Sequence, residues 1–84
     1  MSTNGAESLK ALIEYLVRNL VDEPEQVNIT EVPDDETTTY EVRVAPNDLG
    51  KVIGKQGRIA NALRTVAKAS AMKHKRKVYV EIIA

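Results

Sequence analysis

The chain reads as an α+β domain in which helices lie on one face of a three-stranded sheet, in the order α-β-β-α-α-β. Three observations predict this. A helical-period apolar repeat lies near the N-terminus, two alternating segments follow around a run of turn residues, and a glycine-broken helical pattern precedes a last alternating segment. Helices and strands in this order bury one helix stripe each against one sheet face. The 84 residues suit one domain, 1–84.

Leu9, Leu12, Ile13, Leu16, Val17 and Leu20 recur at helical spacing, with Lys10, Glu14 and Arg18 between them. They predict an amphipathic first helix whose stripe is core. Asn4 and Glu7 have the spacing of a capping box at its start, and Pro24 stops the pattern soon after Val21. Val27-Asn28-Ile29-Thr30 alternates like a half-buried strand, and Tyr40, Val42 and Val44 alternate more cleanly with Glu41, Arg43 and Ala45. Pro33-Asp34-Asp35-Glu36 is turn chemistry, so these strands form an antiparallel hairpin. Pro46 ends the second strand. Asn47 or Asp48 caps a short helix, Asp48 to Ile53, that Gly54 closes. A longer helix follows Gly57, with Ile59, Ala62, Leu63, Val66 and Ala69 on one apolar face. Lys73-His74-Lys75-Arg76-Lys77 is a basic loop, and Val78-Tyr79-Val80-Glu81-Ile82-Ile83 a final strand.

Composition excludes several classes. There is no cysteine, hence no disulfide framework and no thiolate zinc site. Folding energy must come from the apolar 43% of the residues. The apolar runs are far shorter than the roughly 18 residues of a membrane span, and Met1 to Gly5 lacks the basic and apolar regions of a signal peptide. The expectation is a cytoplasmic protein with no membrane partner.

Net charge is zero, but its distribution is not even. Met1 to Glu36 hold nine acids against Lys10 and Arg18, a net −7, whereas Thr37 to Ala84 hold ten bases against Glu41, Asp48 and Glu81, a net +7. Gly50 to Lys77 carries nine Lys and Arg and no acid. Local field, rather than total charge, steers an anionic partner. A solvated basic helix without a partner would leave the same charge pattern, so the chemistry must come from elsewhere.

It comes from Gly50-Lys51-Val52-Ile53-Gly54-Lys55-Gln56-Gly57-Arg58-Ile59. Two glycines bracket two long polar residues between one helix end and the next helix start. Glycine at such corners admits positive φ and lets another backbone approach. The second helix offers its first unpaired N–H groups and its positive dipole end, and Lys51, Lys55 and Arg58 add formal charge. Val52 and Ile53 supply apolar surface for unstacked bases. An apolar floor beside a cationic turn describes a groove for one nucleic-acid strand, not a duplex. Ile53 has an equal claim to be core, and the glycines could simply make a tight corner.

Val52-Ile53-Gly54-Lys55-Gln56-Gly57 resembles the signature of the KH-domain family, an apolar-Ile-Gly-x-x-Gly turn between two helices. The helix and hairpin ahead of a β-α-α-β core are similar to its type II, prokaryotic form. The run Gly50 to Ala60 is similar to the small bacterial KhpA (YlqC) group. That resemblance implies a type II KH fold, with the last strand parallel to the middle one in a mixed sheet. It implies binding of single-stranded RNA, as a post-transcriptional regulator or RNA chaperone. It also implies a homodimer, or a heterodimer with a larger multidomain KH protein (KhpB, also Jag or EloR) linked to cell elongation and division. Carried onto this chain, Gly54 and Gly57 let the backbone approach phosphates, and Lys55 and Gln56 hold them. Val52 and Ile53 line the groove, while Lys51, Arg58, Asn61 and Arg64 line its cationic side. The loop Lys73 to Lys77 falls on the opposite lip, or is simply solvated.

No catalytic, metal or cofactor site is expected. His74 is the only histidine and sits among cations, and Asp34, Asp35 and Glu36 read as a solvated turn. No Walker A or Gly-x-Gly-x-x-Gly spacing occurs. Two other readings are a protein-interaction module, given the absence of Trp and Phe as stacking platforms, and a DNA-binding helix-turn-helix. Against the latter, the first helix of the pair is barely two turns.

Overall fold

Residues 5–72 and 77–83 are described by the computed structural model, with side chains from Leu9 onward. Helix α1 (Gly5–Arg18) leads through a 3-10 turn (Pro24–Gln26) to β1 (Asn28–Pro33) and β2 (Thr37–Arg43). A second 3-10 turn (Pro46–Asp48) enters the short α2 (Leu49–Ile53), a third (Lys55–Gly57) joins it to α3 (Arg58–Met72), and β3 (Lys77–Ile83) closes the chain. The predicted order holds. Asn4 and residues 73–76, with the side chain of Glu7, lie outside the described residues, and so do the capping box and most of the basic loop.

Helix α1 stops at Arg18, earlier than the apolar repeat suggests. There Asn19 turns back on the helix, its side-chain amide donating to the Tyr15 carbonyl at 2.7 Å. The Leu20 N–H donates to Val17 instead of continuing the α pattern, which tightens the last turn before Pro24.

The sheet has the order β1-β2-β3, with β1 antiparallel to β2 and β3 parallel to it. Ile29 faces Val42 across the hairpin, and Tyr40 faces Val80 across the parallel pair. All four are buried, while Thr30, Glu41 and Glu81 in the alternate row are not. The alternation of strand side chains thus leaves one covered face and one open face. Leu9, Ile13 and Val17 of α1, Val52 of α2 and Leu63 and Ala67 of α3 complete the covered side. Each full burial of a Val, Leu or Ile stabilises by about 1.5–3 kcal/mol.

One expectation is corrected here. The buried stripe of α3 is Ala60, Leu63, Ala67 and Ala71, not the face centred on Ile59, Ala62, Val66 and Ala69. Ala62, Val66 and Ala69 are exposed, and Ile59 is only partly buried. Three alanines toward the core allow a close approach of helix to sheet, which a Val at position 67 would hold off. Leu63 belongs to both stripes, so periodicity alone could not set the phase.

A second correction concerns Asp48. It sits at the start of α2, but its side chain makes no capping bond there. Its carboxylate is 1% exposed and accepts hydrogen bonds from the backbone N–H of Asp22 (3.1 Å) and Glu23 (3.0 Å). Lys51, one turn on, pairs with Asp22 at 3.0 Å and approaches Asp48 at 3.7 Å. These four residues latch the exit of α1 to the entry of α2. Burial pushes the Asp48 carboxyl up, but the two N–H donors and the Lys51 charge outweigh it and hold it below its ordinary value of 3.8. The Asp22 hydrogen bond, with the Asp22 charge behind it, raises Lys51 above its ordinary 10.5.

Candidate nucleic-acid interface

Helix α2 ends because Gly54 leaves the helical region at φ 78°, ψ 173°, after its N–H has capped the Gly50 carbonyl at 2.9 Å. A β-carbon there would lie 2.6 Å from Ile59 Cγ1 and 2.9 Å from the Ile59 backbone nitrogen. Only glycine fits. Lys55, Gln56 and Gly57 form a single tight turn, with Gln56 left-handed (φ 57°, ψ 27°) and Gly57 at φ 75°. A β-carbon on Gly57 would meet nothing within 4 Å, so it is the positive φ, not crowding, that favours glycine there.

The turn closes on itself. Gly57 N–H donates to the Gly54 carbonyl at 3.1 Å, and Arg58 N–H donates to that of Lys55. Two of the amides that the sequence counts as unpaired are therefore engaged. What the turn presents outward is the exposed side chains of Lys55, Gln56 and Arg58, at the positive end of the fifteen-residue α3.

Val52 and Ile53 separate. Val52 is fully buried and belongs to the core, whereas Ile53 is 37% exposed and supplies apolar surface beside the turn. Lys51 is held by Asp22 and Asp48, so its charge is locally cancelled. Asn61 and Arg64 lie farther along α3, about 4.5 and 9 Å from Arg58 down the helix axis. The Arg64 guanidinium donates from Nε to the Val80 carbonyl on the outer edge of β3 and from Nη1 to Asn61 Oδ1, both at 3.3 Å. Two of its five donors are fixed in this way, and the cation is held over the junction of α3 and β3. Gly54, Lys55, Gln56, Gly57, Arg58, Asn61 and Arg64 thus form one continuous surface with Ile53 at its side. Val52 belongs to the core beneath, and the exposed Lys51 is tied to Asp22 and Asp48.

The sequence offered Asp48 only as a cap for its own helix, and it did not point to the latch at Asp22 and Glu23 or to the edge of β3. A lone acid before an acid-free run was the available signal for the first. The second had none, because the partner is a backbone carbonyl.

Residues 10–82 match the profile of the KhpA/KhpB KH domain. The chain belongs to the KhpA/KhpB KH-domain family. Among its relatives, the RNA-binding protein KhpA of Clostridium perfringens is 55% identical over 75 residues, covering 89% of this chain and 100% of that protein. The KhpA of Clostridium acetobutylicum is 52% identical over 75 residues, with 89% and 100% coverage. That of Aquifex aeolicus is 46% identical over 76 residues, with 90% and 96% coverage. Among solved structures, Aquifex aeolicus Era bound to GDP and aluminium fluoride aligns with a TM-score of 0.64 at 18% identity. It covers 98% of this chain, which spans 31% of that protein. At that identity the likeness concerns the fold. For the KhpA/KhpB family the mixed sheet and the α-β-β-α-α-β order found here are the expected type II arrangement. No helix among the described residues is long and apolar enough to cross a membrane.

Proposed function

We propose that this KH domain binds short single-stranded RNA, with the backbone phosphates on the Gly54–Gly57 turn and the strand following α3 along the edge of β3. The observation that carries this reading is the turn. Its two outward side chains, Lys55 and Gln56, are exposed and take no part in the core, yet the backbone beneath them is held in a conformation that demands glycine at Gly54. Arg58 and the fixed Arg64 extend the cationic track, and relatives about half identical to this chain are named RNA-binding proteins. Helix α2, at five residues, is too short to brace a recognition helix in a DNA groove.

The test is fluorescence anisotropy with a labelled single-stranded RNA and a duplex DNA of equal length. Single-stranded RNA should bind more tightly. With about three or four phosphates neutralised, log K should fall against log salt with a slope of roughly −2 to −3. A slope of zero, or preference for the duplex, would overturn the reading.

Self-association is a second reading, favoured by the apolar residues that α3 turns away from the core. Ala62 and Ala69 are exposed there together with Val66, which is 38% exposed. One KH domain grips only about four nucleotides, so pairing with a second copy, or with a larger KH protein, would multiply its affinity. A role in RNA regulation or chaperoning would follow from the RNA binding, and a role in cell elongation and division, beside a larger KH protein, is what the family resemblance implies. Sedimentation or light scattering at tens of micromolar separates monomer from dimer.

A further inference from the structure

We propose that the groove between α3 and β3 carries a second RNA subsite at its far end, taking one further nucleotide with its base on Tyr79 and its phosphate between Lys68 and Lys77. This rests on the RNA-binding reading above and lengthens the footprint beyond the turn. A groove of about 370 Å³ opens there, lined by Lys68, Met72, Lys77, Val78 and Tyr79.

The groove continues the track already described. Asn61, Arg64, Lys68 and Met72 follow one another at helical spacing of three or four along α3. Lys68 stands about 15 Å from Arg58 down the helix axis, away from the turn. Across the groove, Lys77 and Tyr79 are two residues apart on β3 and share the open face of the sheet, opposite Thr37 and Thr39 of β2. Between the two pairs runs the outer edge of β3, the last strand of the sheet. Val78 has the same parity as Val80, whose carbonyl meets Arg64. Its peptide groups therefore point out of the sheet toward the groove, where the edge of a base can pair with them.

Tyr79 is the residue that asks for an explanation. Tyr40 fills the core at 1% exposure, whereas Tyr79 is 55% exposed and contributes nothing to the core cluster. An aromatic ring on an edge strand, two residues from a lysine, suits a stacked base whose phosphate needs a cation. Met72, 73% exposed, adds an adaptable apolar wall. Acids bound the site on two sides. Glu81 follows Tyr79 on the same face, and the Asp34-Asp35-Glu36 turn adjoins Lys77, whose N–H donates to the Glu36 carbonyl at 3.3 Å.

The experiment measures binding of single-stranded RNAs of about four and about eight nucleotides, the shorter being the reach of the turn alone. A longer RNA also has more registers, so the variants rather than the lengths decide. Tyr79→Ala, and separately Lys68→Glu with Lys77→Glu, should weaken the longer RNA about five-fold or more and leave the shorter one unchanged. Tyr79→Phe should keep the affinity but lose the quench of tyrosine emission on binding the longer RNA. Circular dichroism melts establish that each variant folds. Variants that bind both lengths like the parent, or that lose both equally, overturn the subsite. If the parent binds neither length, the RNA reading falls, and the subsite with it.

Discussion

The two glycines of the turn should fail differently when each is replaced by alanine, and the structure indicates by how much. At Gly54 a methyl group meets Ile59 on three sides, at 2.6 Å from Cγ1 and 2.9 Å from both Cβ and the backbone nitrogen. None of these can swing away, because Ile59 packs against the core and its nitrogen is part of α3. The backbone at φ 78°, ψ 173° is also a glycine-only region. Strain of about 1–3 kcal/mol there adds to overpacking of about 1–3 kcal/mol, a total near 4 kcal/mol. For a domain of this size each kcal/mol lowers Tm by about 4–8 °C, so Gly54→Ala should melt roughly 16–32 °C below the parent. Gly57, at φ 75° with open space around it, should lose only about 1–2 kcal/mol on the same change. Its methyl group would nevertheless stand where a phosphate approaches, so Gly57→Ala should remain folded and bind RNA less well. Thermal melting by circular dichroism, paired with anisotropy at one salt concentration, measures both. If Gly54→Ala melts no lower than Gly57→Ala, the contact with Ile59 does not constrain the turn, and the division of labour is wrong.

Replacing Lys55 and Gln56 together by Asp should abolish most RNA binding. Both side chains are exposed and Asp tolerates the left-handed conformation of Gln56, so stability should change by only about 0.5 kcal/mol; a double variant that melts and binds like the parent would reduce the turn to a corner. Ile53→Asp should fold, since Ile53 is partly in solvent, and should weaken RNA binding; an unfolded variant would place Ile53 in the core after all. Because Asp48 titrates below 3.8 in the folded chain, its contribution is present above that pH and is lost as pH falls through the folded value. Asp48→Asn should therefore melt lower than the parent at neutral pH, with the gap closing in acid, and a gap independent of pH would remove the latch. Lys51 is raised above 10.5, so its share persists through neutral pH and is lost only as pH climbs past the folded value. Val66→Asp should leave the melt nearly unchanged and convert any dimer to monomer in sedimentation; a dimer that survives it lies on another surface.

Much of this protein was legible in the residue order. Turn chemistry at Pro33 to Glu36, the glycines at 54 and 57 and the apolar alternation of Tyr40 and Val42 are local signals, and each marks an element that the structure contains. The candidate site was legible for the same reason, since Gly54 to Arg58 is contiguous in sequence and its shape follows from backbone rules. Residues whose roles depend on distant partners were not legible. Lys51 looks like one more cation at the turn until Asp22, 29 positions earlier in the chain, is brought to its ammonium group.

The sequence by itself determined the order of elements, the position of the turn and the separation of charge between the halves, because spacing, φ freedom and side-chain type act over a few residues. Only the tertiary structure decided which stripe of α3 is buried, since two stripes share Leu63 and the choice depends on how closely a run of alanines lets the helix approach the sheet. It also decided that Asp48 serves the backbone of Asp22 and Glu23 rather than its own helix, and that Arg64 is held by a carbonyl of β3. Backbone donors and acceptors are the same in every residue, so no letter of the sequence announces which of them a side chain will find once the chain has folded.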